Sequence, residues 1–468
     1  MRRFILPILL LVMFLCGGTS QYIPQPKFIA YGVSIILIGF SIFAGLRGNA
    51  QTLSEKSIWN MVLLIILICV LQLIPLPPGL WTALPGREIV TTGFELTEYS
   101  LPWLPLSLTP EITLYSVLDF LPPIAILAYI LAFATHKEIN LTIYGVLGFA
   151  AICAFIGFAQ ILSGGDTLYP YKVTNTGRPT AFFSNTNHFA TFMLMSLCFS
   201  LHYMTKDIGA GISALVLRRT RSFTLGGMIS LVLIFGIIST KSLAAVGILA
   251  VLLSLFFVIY RHLSWLKNEK TIGWFFIFSL IMAIIVFLIL DLLLEGNLVL
   301  DVFDTLKGES DFSRRKIYPE VIKQILIYFP FGTGLGSFEQ VFGVNRDLEN
   351  TIGQFVNHAH NDYLELLLEY GLFGVIFLGL FLKWWFKSWQ FTLSLAGKLY
   401  GQFFSLRIPA LLATGIVLMH SMVDYPARTI AISCFTAFCV GVICKTDRQQ
   451  VSKQTPAAKQ KTRAKLDI

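Results

Sequence analysis

Apolar runs about as long as a bilayer is thick recur along nearly the whole of this 468-residue chain, and they leave it few folds. About 20 consecutive apolar residues cross a hydrocarbon core as a helix. A soluble domain is about one quarter charged, whereas here charged residues make up 13% and hydrophobic ones 55%. No run alternates with the period of two that a transmembrane β-barrel needs. The fold class is therefore all-α, a polytopic membrane protein rather than a globular core with an anchor.

The runs predict about twelve spans, at 4–17, 28–46, 57–75, 111–134, 140–163, 181–204, 223–240, 242–260, 272–291, 371–390, 408–424 and 427–444. Met1-Arg2-Arg3 followed by Phe4 to Leu15 has the outline of a signal peptide. Cys16 suggests a lipid attachment site, but Leu15 is too large to precede one. We read this run as an uncleaved first helix. Cytoplasmic loops collect Lys and Arg. With the amino terminus in the cytoplasm, Arg2, Arg3, Arg218, Arg219, Arg221, Lys267, Lys270, Lys383 and Lys387 fall inside with the basic tail. Most carboxylates then fall outside, after the third and ninth spans, and both termini are cytoplasmic. Residues 446–468 are polar without apolar periodicity and are expected to be a disordered basic tail able to rest on anionic lipid. The absence of an internal repeat disfavours inverted-repeat transporters.

A net charge of +9 raises nucleic acid as a partner, but the basic residues are dispersed over short loops and the tail, so none is expected. The seven cysteines all lie in apolar runs without metal-type spacing and read as free, buried thiols. Asp301, Asp304, Glu309 and Asp311 do not fit an EF-hand loop and read as a solvated face. No metal and no cofactor is expected. No carboxylate pair suggests glycoside hydrolysis.

Two of the outside segments are long. Residues 76–110, rich in Pro and aromatics, suit the membrane interface. Residues 292–370 form a large loop expected to bear amphipathic helices. Tyr318-Pro319-Glu320 reads as a helix start with Pro in first position. Val321, Ile322, Ile325, Leu326 and Phe329 then mark an apolar face, and Lys323 and Gln324 the other. The run Gly332-Thr333-Gly334-Leu335-Gly336 is expected to end that helix in a flexible turn; no Lys-Ser/Thr follows, so it is not a nucleotide loop. Near the loop's end stands Asn357-His358-Ala359-His360-Asn361-Asp362-Tyr363. Ionisable groups at the mouth of a membrane helix are costly and usually line a site or cavity.

His360-Asn361, nine residues, then Gly371 resembles the His-[Asn/Ser/Gln]-x9-Gly pattern of the bacterial O-antigen ligase and polymerase family. Phe329 to Phe338 is similar to that family's Pro-x-x-Gly-x-Gly-x-Gly-x-Phe stretch. Gly177 to His188 is similar to its Arg-containing Asn-x-Asn turn before a helix, and His420 to Arg428 to a motif of some members. The resemblance covers roughly 175–445. It divides the chain into N-terminal transmembrane helices (1–174), a ligase-like membrane catalytic region (175–445) and the tail. It implies a multi-pass glycosyltransferase of the bacterial inner membrane. Such an enzyme moves a glycan from undecaprenyl diphosphate to a lipid A-core acceptor, or to another glycan, at the periplasmic face. Lys241 stands where many members carry Arg; it offers a point charge rather than a planar fork.

The topology puts Arg178, Lys241, Arg314, Arg315, His360, Asn361, His420, Asp424 and Arg428 on one outside face. Transfer from a lipid diphosphate needs cations on the leaving group, a base for the acceptor hydroxyl and a lateral opening for the lipid tail. Arg178, Lys241 and Arg314 or Arg315 are the expected diphosphate contacts. His360 is the expected base, because an ordinary imidazole accepts a proton at neutral pH. His358 is its neighbour, and Asn361 orients a sugar or the loop backbone. Glu365 and Glu369 share a helix face one turn apart. His420, Asp424 and Arg428 are expected to hold one another as a supporting network. Three rival readings stay open here: an O-antigen or exopolysaccharide polymerase, a lipid-linked glycan transporter without chemistry, and a structural scaffold of an envelope-assembly complex.

Overall fold

The computed structural model describes residues 2–20, 25–45, 52–164, 168–171, 177–205, 215–262, 314–345, 356–394 and 402–463. The expected span 272–291 lies outside them. The described chain is mostly helical. It runs α1 (Ile5–Cys16), α2 (Gln25–Gly45), α3 (Leu53–Leu73), α4 (Pro78–Trp81), α5 (Glu88–Leu96), α6 (Pro110–Leu118), α7 (Leu121–Phe133), α8 (His136–Leu162), α9 (Thr186–Thr205), α10 (Leu215–Ser239) and α11 (Leu243–His262). There follow α12 (Arg314–Tyr328), α13 (Phe338–Asn345), α14 (Asp362–Tyr370), α15 (Leu372–Ser394), α16 (Gln402–His420) and α17 (Ile430–Arg463). A two-residue antiparallel ladder pairs Pro75–Leu76 with Leu104–Pro105.

Among the described residues, five helical stretches are long and apolar enough to cross a membrane: Pro26–Phe43, Leu53–Leu73, Pro110–Phe133, His136–Leu162 and Leu372–Ser394. Ile5–Cys16, Thr224–Ser239, Leu243–Val258, Leu406–His420 and Ile430–Thr446 are shorter apolar helices. The last helix continues to Arg463, into the tail that the sequence analysis expects to be disordered. Ala457, Ala458 and the Lys and Gln around them are good helix formers.

The bundle is organised around α9, which is enclosed on every side. Phe189, Phe192, Met193, Leu197 and Phe199 are buried, and so are Thr191, Ser196, Ser200 and His202. A buried hydroxyl needs a hydrogen-bond partner. Ser200 Oγ donates to Gly226 O at 2.9 Å, and Ser230 Oγ donates to Ser200 Oγ at 3.0 Å. Gly226 lets α10 approach, since a Cβ there would lie 2.8 Å from Met204 N; small residues serve such close helix crossings in membranes. Phe14 of α1, Phe149 of α8 and Phe435 of α17 converge on Phe192, the first edge-on with ring centroids 4.9 Å apart.

Helix α1 belongs to this core. Leu6, Leu9, Leu10, Met13 and Phe14 are buried. One of the orphan donors of its first turn, Leu6 N–H, reaches Glu138 Oε1 at 3.2 Å, and Tyr129 OH donates to the same oxygen at 2.9 Å. Past its end, Ser184 N donates to Gly18 O and Ala431 N to Gly17 O. Residues 17–20 thereby tie the start of α9 to the start of α17, which is where the candidate site lies.

Helix α12 starts at Arg314, and Pro319 lies inside it, so the expected start at Pro319 is corrected. The expected faces are corrected as well. Ile317, Val321, Gln324 and Tyr328 are buried, whereas Ile322, Leu326 and Ile327 are exposed. Apolar residues lie on both faces, so their spacing alone did not say which face packs on protein and which meets the surroundings.

Two consequences are measurable. Because α1 is packed into the core, intact mass or amino-terminal sequencing of membrane-extracted protein is expected to give residues 1–20 still attached. A Cβ at Gly18 would meet Phe182 O at 1.8 Å, whereas Gly79 has nothing within 4 Å. In detergent, Gly18→Ala lowers stability by about 1–3 kcal/mol, as overpacking does, and Gly79→Ala does not.

Candidate active site

Helix α14 explains the spacing of the most informative motif. Asn361 is its N-cap, with Oδ1 accepting from Tyr363 N at 3.0 Å and Leu364 N at 3.1 Å. Nine helical residues follow. Gly371 then closes the helix at φ +56°, and its N–H reaches Leu367 O at 2.9 Å. A Cβ at Gly371 would lie 2.1 Å from Pro330 O. His-Asn-x9-Gly is thus one helix with both its caps. Asn361 Nδ2 donates to Met422 O at 2.8 Å. Its hydrogen bonds all go to backbone, and it orients the loop rather than lining the cavity described below.

The glycine run is a splice rather than the expected flexible turn. Thr333 N donates to Leu368 O at 2.9 Å, Gly334 N to Glu369 O at 3.0 Å and Leu372 N to Pro330 O at 2.9 Å, so the run satisfies the last carbonyls of α14. From α3, Gln72 Nε2 donates to Glu369 O at 2.9 Å, and Gln72 Oε1 accepts from Leu335 N at 3.1 Å. Gly332 has φ +79°, and a Cβ there would meet Glu369 O at 2.6 Å. The glycines serve close backbone approach.

His360 precedes the cap with φ +51°, a left-handed conformation that costs a non-glycine residue energy and collects at functional sites. Tyr318 OH donates to its carbonyl at 2.9 Å. Its Nδ1 stands 3.2 Å from Asp424 Oδ1. The carboxylate is an acceptor, so we assign Nδ1 as protonated and the lone pair to Nε2. Asp424 is buried, which pushes its carboxyl up. The hydrogen bond from His360 and the imidazoles of His188, His360 and His420 outweigh that and hold it well below the usual range.

Asp362, Glu365 and Glu369 lie along one side of α14, and all three converge on Arg428, at 3.7, 3.4 and 2.8 Å. Glu365 also takes His358 Nδ1 at 2.8 Å and Ala359 N at 3.0 Å. Burial raises Glu365, but Arg428 and His358 overcome it and bring the group down to about 2. Burial dominates for the other two, and both Asp362 and Glu369 are pushed up to about 7 despite Arg428. The expected mutual network of His420, Asp424 and Arg428 is therefore corrected for Arg428, while His420 stays beside Asp424, whose N–H donates to His420 O at 2.9 Å. Arg428 serves the α14 carboxylates, Asp424 serves His360, and His420 Nδ1 meets Thr191 Oγ1 at 2.7 Å. Tertiary packing offered each group a stronger partner than its sequence neighbours.

These groups open onto a cavity of about 1550 Å³. Arg178, Asn187, His358, His360, Glu365 and Arg428 give it a polar lining. Met61 and Ile65 of α3, Leu127 of α7, Phe381 of α15 and Val440 of α17 give the same cavity apolar lining as well. Tyr169 OH donates to Arg178 O at 2.9 Å, and among the described residues the Arg178 guanidinium has no carboxylate partner. Lys241 occupies a tight turn at φ +55°. That turn touches the start of α9 through Thr186 Oγ1 and Thr240 O at 3.5 Å, but Lys241 does not line the cavity. The side chains of Arg314 and Arg315 lie outside the described residues. Tyr318, one helical turn on, holds His360.

Tyr425 and His188 fall within two of the motif stretches, where neither is given a role. The Tyr425 ring meets the imidazoles of His358, His188 and His360 at centroid distances of 4.2, 4.8 and 5.0 Å. The one available signal was that four of the chain's seven histidines fall in the stretches already singled out.

The carboxylate cluster predicts a pH dependence. A carboxyl held above its ordinary value binds its proton more tightly when folded, so stability falls as pH rises from about 4 through about 7. Glu365 acts oppositely, but its contribution is complete by about pH 5. Thermal stability in detergent therefore falls between pH 5 and pH 8, and Asp362→Asn makes that fall smaller.

Residues 210–379 match a family model described as O-antigen ligase. The match takes in Lys241, the glycine splice, His358, His360 and the whole of α14; Arg178 and the 420–428 turn lie beyond it. No curated protein matches the chain. Over residues 210–379 the chain is similar to the O-antigen ligase family.

Proposed function

We propose that this protein is a membrane glycosyltransferase of the O-antigen ligase type, with about twelve spans and both termini in the cytoplasm of a bacterial inner membrane. It moves a glycan from undecaprenyl diphosphate to a hydroxyl of lipid A-core or of another glycan at the periplasmic face. The observation that carries this reading is His360, with Nδ1 on buried Asp424, on the wall of a cavity lined by both charged and apolar side chains. A lipid-linked sugar needs both kinds of surface. The prenyl chain lies against the apolar side chains, and the diphosphate lies toward Arg178.

In the reaction, His360 Nε2 takes the proton of the acceptor hydroxyl. That oxygen bonds to the anomeric carbon as the bond from carbon to the diphosphate oxygen breaks. The electron pair leaves with the diphosphate, and the configuration inverts. Arg178 offsets the charge on the leaving group, with Arg314 or Arg315 from the start of α12 as the second cation. Asp424 keeps the tautomer and stabilises the imidazolium, as the carboxylate of a hydrolytic triad does. Arg428 is already engaged by the α14 carboxyl groups and takes no part in the clamp.

General-base catalysis contributes about 10²–10⁴-fold. His360→Ala, expressed to the parental level in the native host, loses glycan attachment by at least the lower figure. Asp424→Asn falls in the same direction with the protein still folded. Arg178→Lys keeps more activity than Arg178→Ala. Normal glycan attachment in the His360→Ala strain would remove the base assignment and favour a transporter.

A further inference from the structure

The Tyr425 ring is buried, lines the cavity and is enclosed by imidazoles from two segments. His358 lies across it at 4.2 Å, tilted by 34°. His360 and His188 stand T-shaped to it, at interplanar angles of 69° and 83°. The hydroxyl is held by Asn185 Nδ2 at 3.5 Å and by the Asn357 side chain. The next residue back, Asp424, is the partner of His360. Tyr425 therefore touches the proposed base and adjoins that base's carboxylate partner, and its place is fixed from α9, from the 357–360 loop and from its own turn.

We propose that Tyr425 is a positioning residue for the transfer reaction: its ring sets the His360 rotamer that presents Nε2 to the cavity and stabilises the imidazolium formed when Nε2 takes the acceptor's proton. The inference rests on the transferase reading above. An aromatic ring attracts a cation through its quadrupole, and a charge that develops in a water-poor pocket is stabilised only by groups already in place. The other groups facing His360 and Tyr425 are Asp424 and His420 from one side, His188 from α9, and His358, Asp362, Glu365 and Arg428 from the other. Of these, His358 and His188 also touch the ring.

The test replaces Tyr425 by phenylalanine and then by mono-, di- and trifluorinated phenylalanines, which keep ring size while draining the ring of electron density. The full chain in detergent is supplied with carrier-linked glycan extracted from native-host membranes and with the host's acceptor. His360 must be neutral to act, so activity rises with pH through its titration. A weaker ring lowers that titration. The acid limb of the kcat profile is expected to move stepwise to lower pH, by about half a unit across the series. kcat at neutral pH is expected to fall severalfold while KM stays within about threefold. Tyr425→Leu, which has no quadrupole, shifts the limb at least as far. An unmoved limb across the fluorinated series overturns the proposal, as does a loss confined to KM. His360→Ala in the same assay separates the two claims. If it transfers glycan normally, the transferase reading has failed. If it is dead while the fluorinated series keeps the parental limb, only the role of Tyr425 has failed.

Discussion

A carboxylate that cannot reach water must find positive charge or keep its proton, and the site is built under that constraint. Asp362, Glu365, Glu369 and Asp424 are all buried. The α14 carboxylates share the one guanidinium of Arg428, which leaves two of them holding protons near neutrality. Asp424 has no Arg or Lys among its described partners, and the hydrogen bond it accepts from His360 Nδ1 is foremost among the influences that hold it ionised. The carboxylate that orients His360 thus depends on that residue for its own charge. This couples the tautomer of the proposed base to the electrostatics of the whole pocket.

Precision in such a pocket comes from the backbone that holds it. Helix α14 has a side-chain cap at one end and glycine at the other. The splice through Gly332 and Gly334 fills its C-terminal carbonyls with fixed partners, and Gln72 ties the same point to α3. A helix bonded at both ends cannot rotate, so the side chains at 360, 362, 365 and 369 keep their directions. The left-handed φ of His360 is tolerated because the Asn361 cap, Tyr318 and Asp424 all constrain the same residue.

Much of the candidate site was legible as sequence. The cluster 357–363 was conspicuous because two imidazoles and a carboxylate beside a membrane helix are expensive, and His360 does stand on the cavity wall with His358 and Arg178. The network 420–428 was legible as polar but not as paired, because proximity along a chain does not rank partners. Arg428 found α14, about 60 residues earlier in the chain, and Asp424 found His360. Lys241 looked like part of a cation clamp because a charge in a tight turn between spans attracts attention; the turn puts it beside the start of α9, off the cavity. The glycine run looked flexible because glycine is permissive, and only the facing backbone shows that permissiveness used for contact.

By itself the sequence determined that the chain is helical and membrane-embedded, since runs of apolar side chains with few charges have no other stable solution, and it marked the polar residues too costly to be incidental. Tertiary structure decided which helix lies at the centre, how α1 is built into the core, which carboxylate answers which cation, and that Tyr425 sits among the histidines. Those outcomes turn on distances between segments remote in the chain. Burial multiplies the strength of a charge interaction several-fold, and only the folded molecule says which charges are buried together.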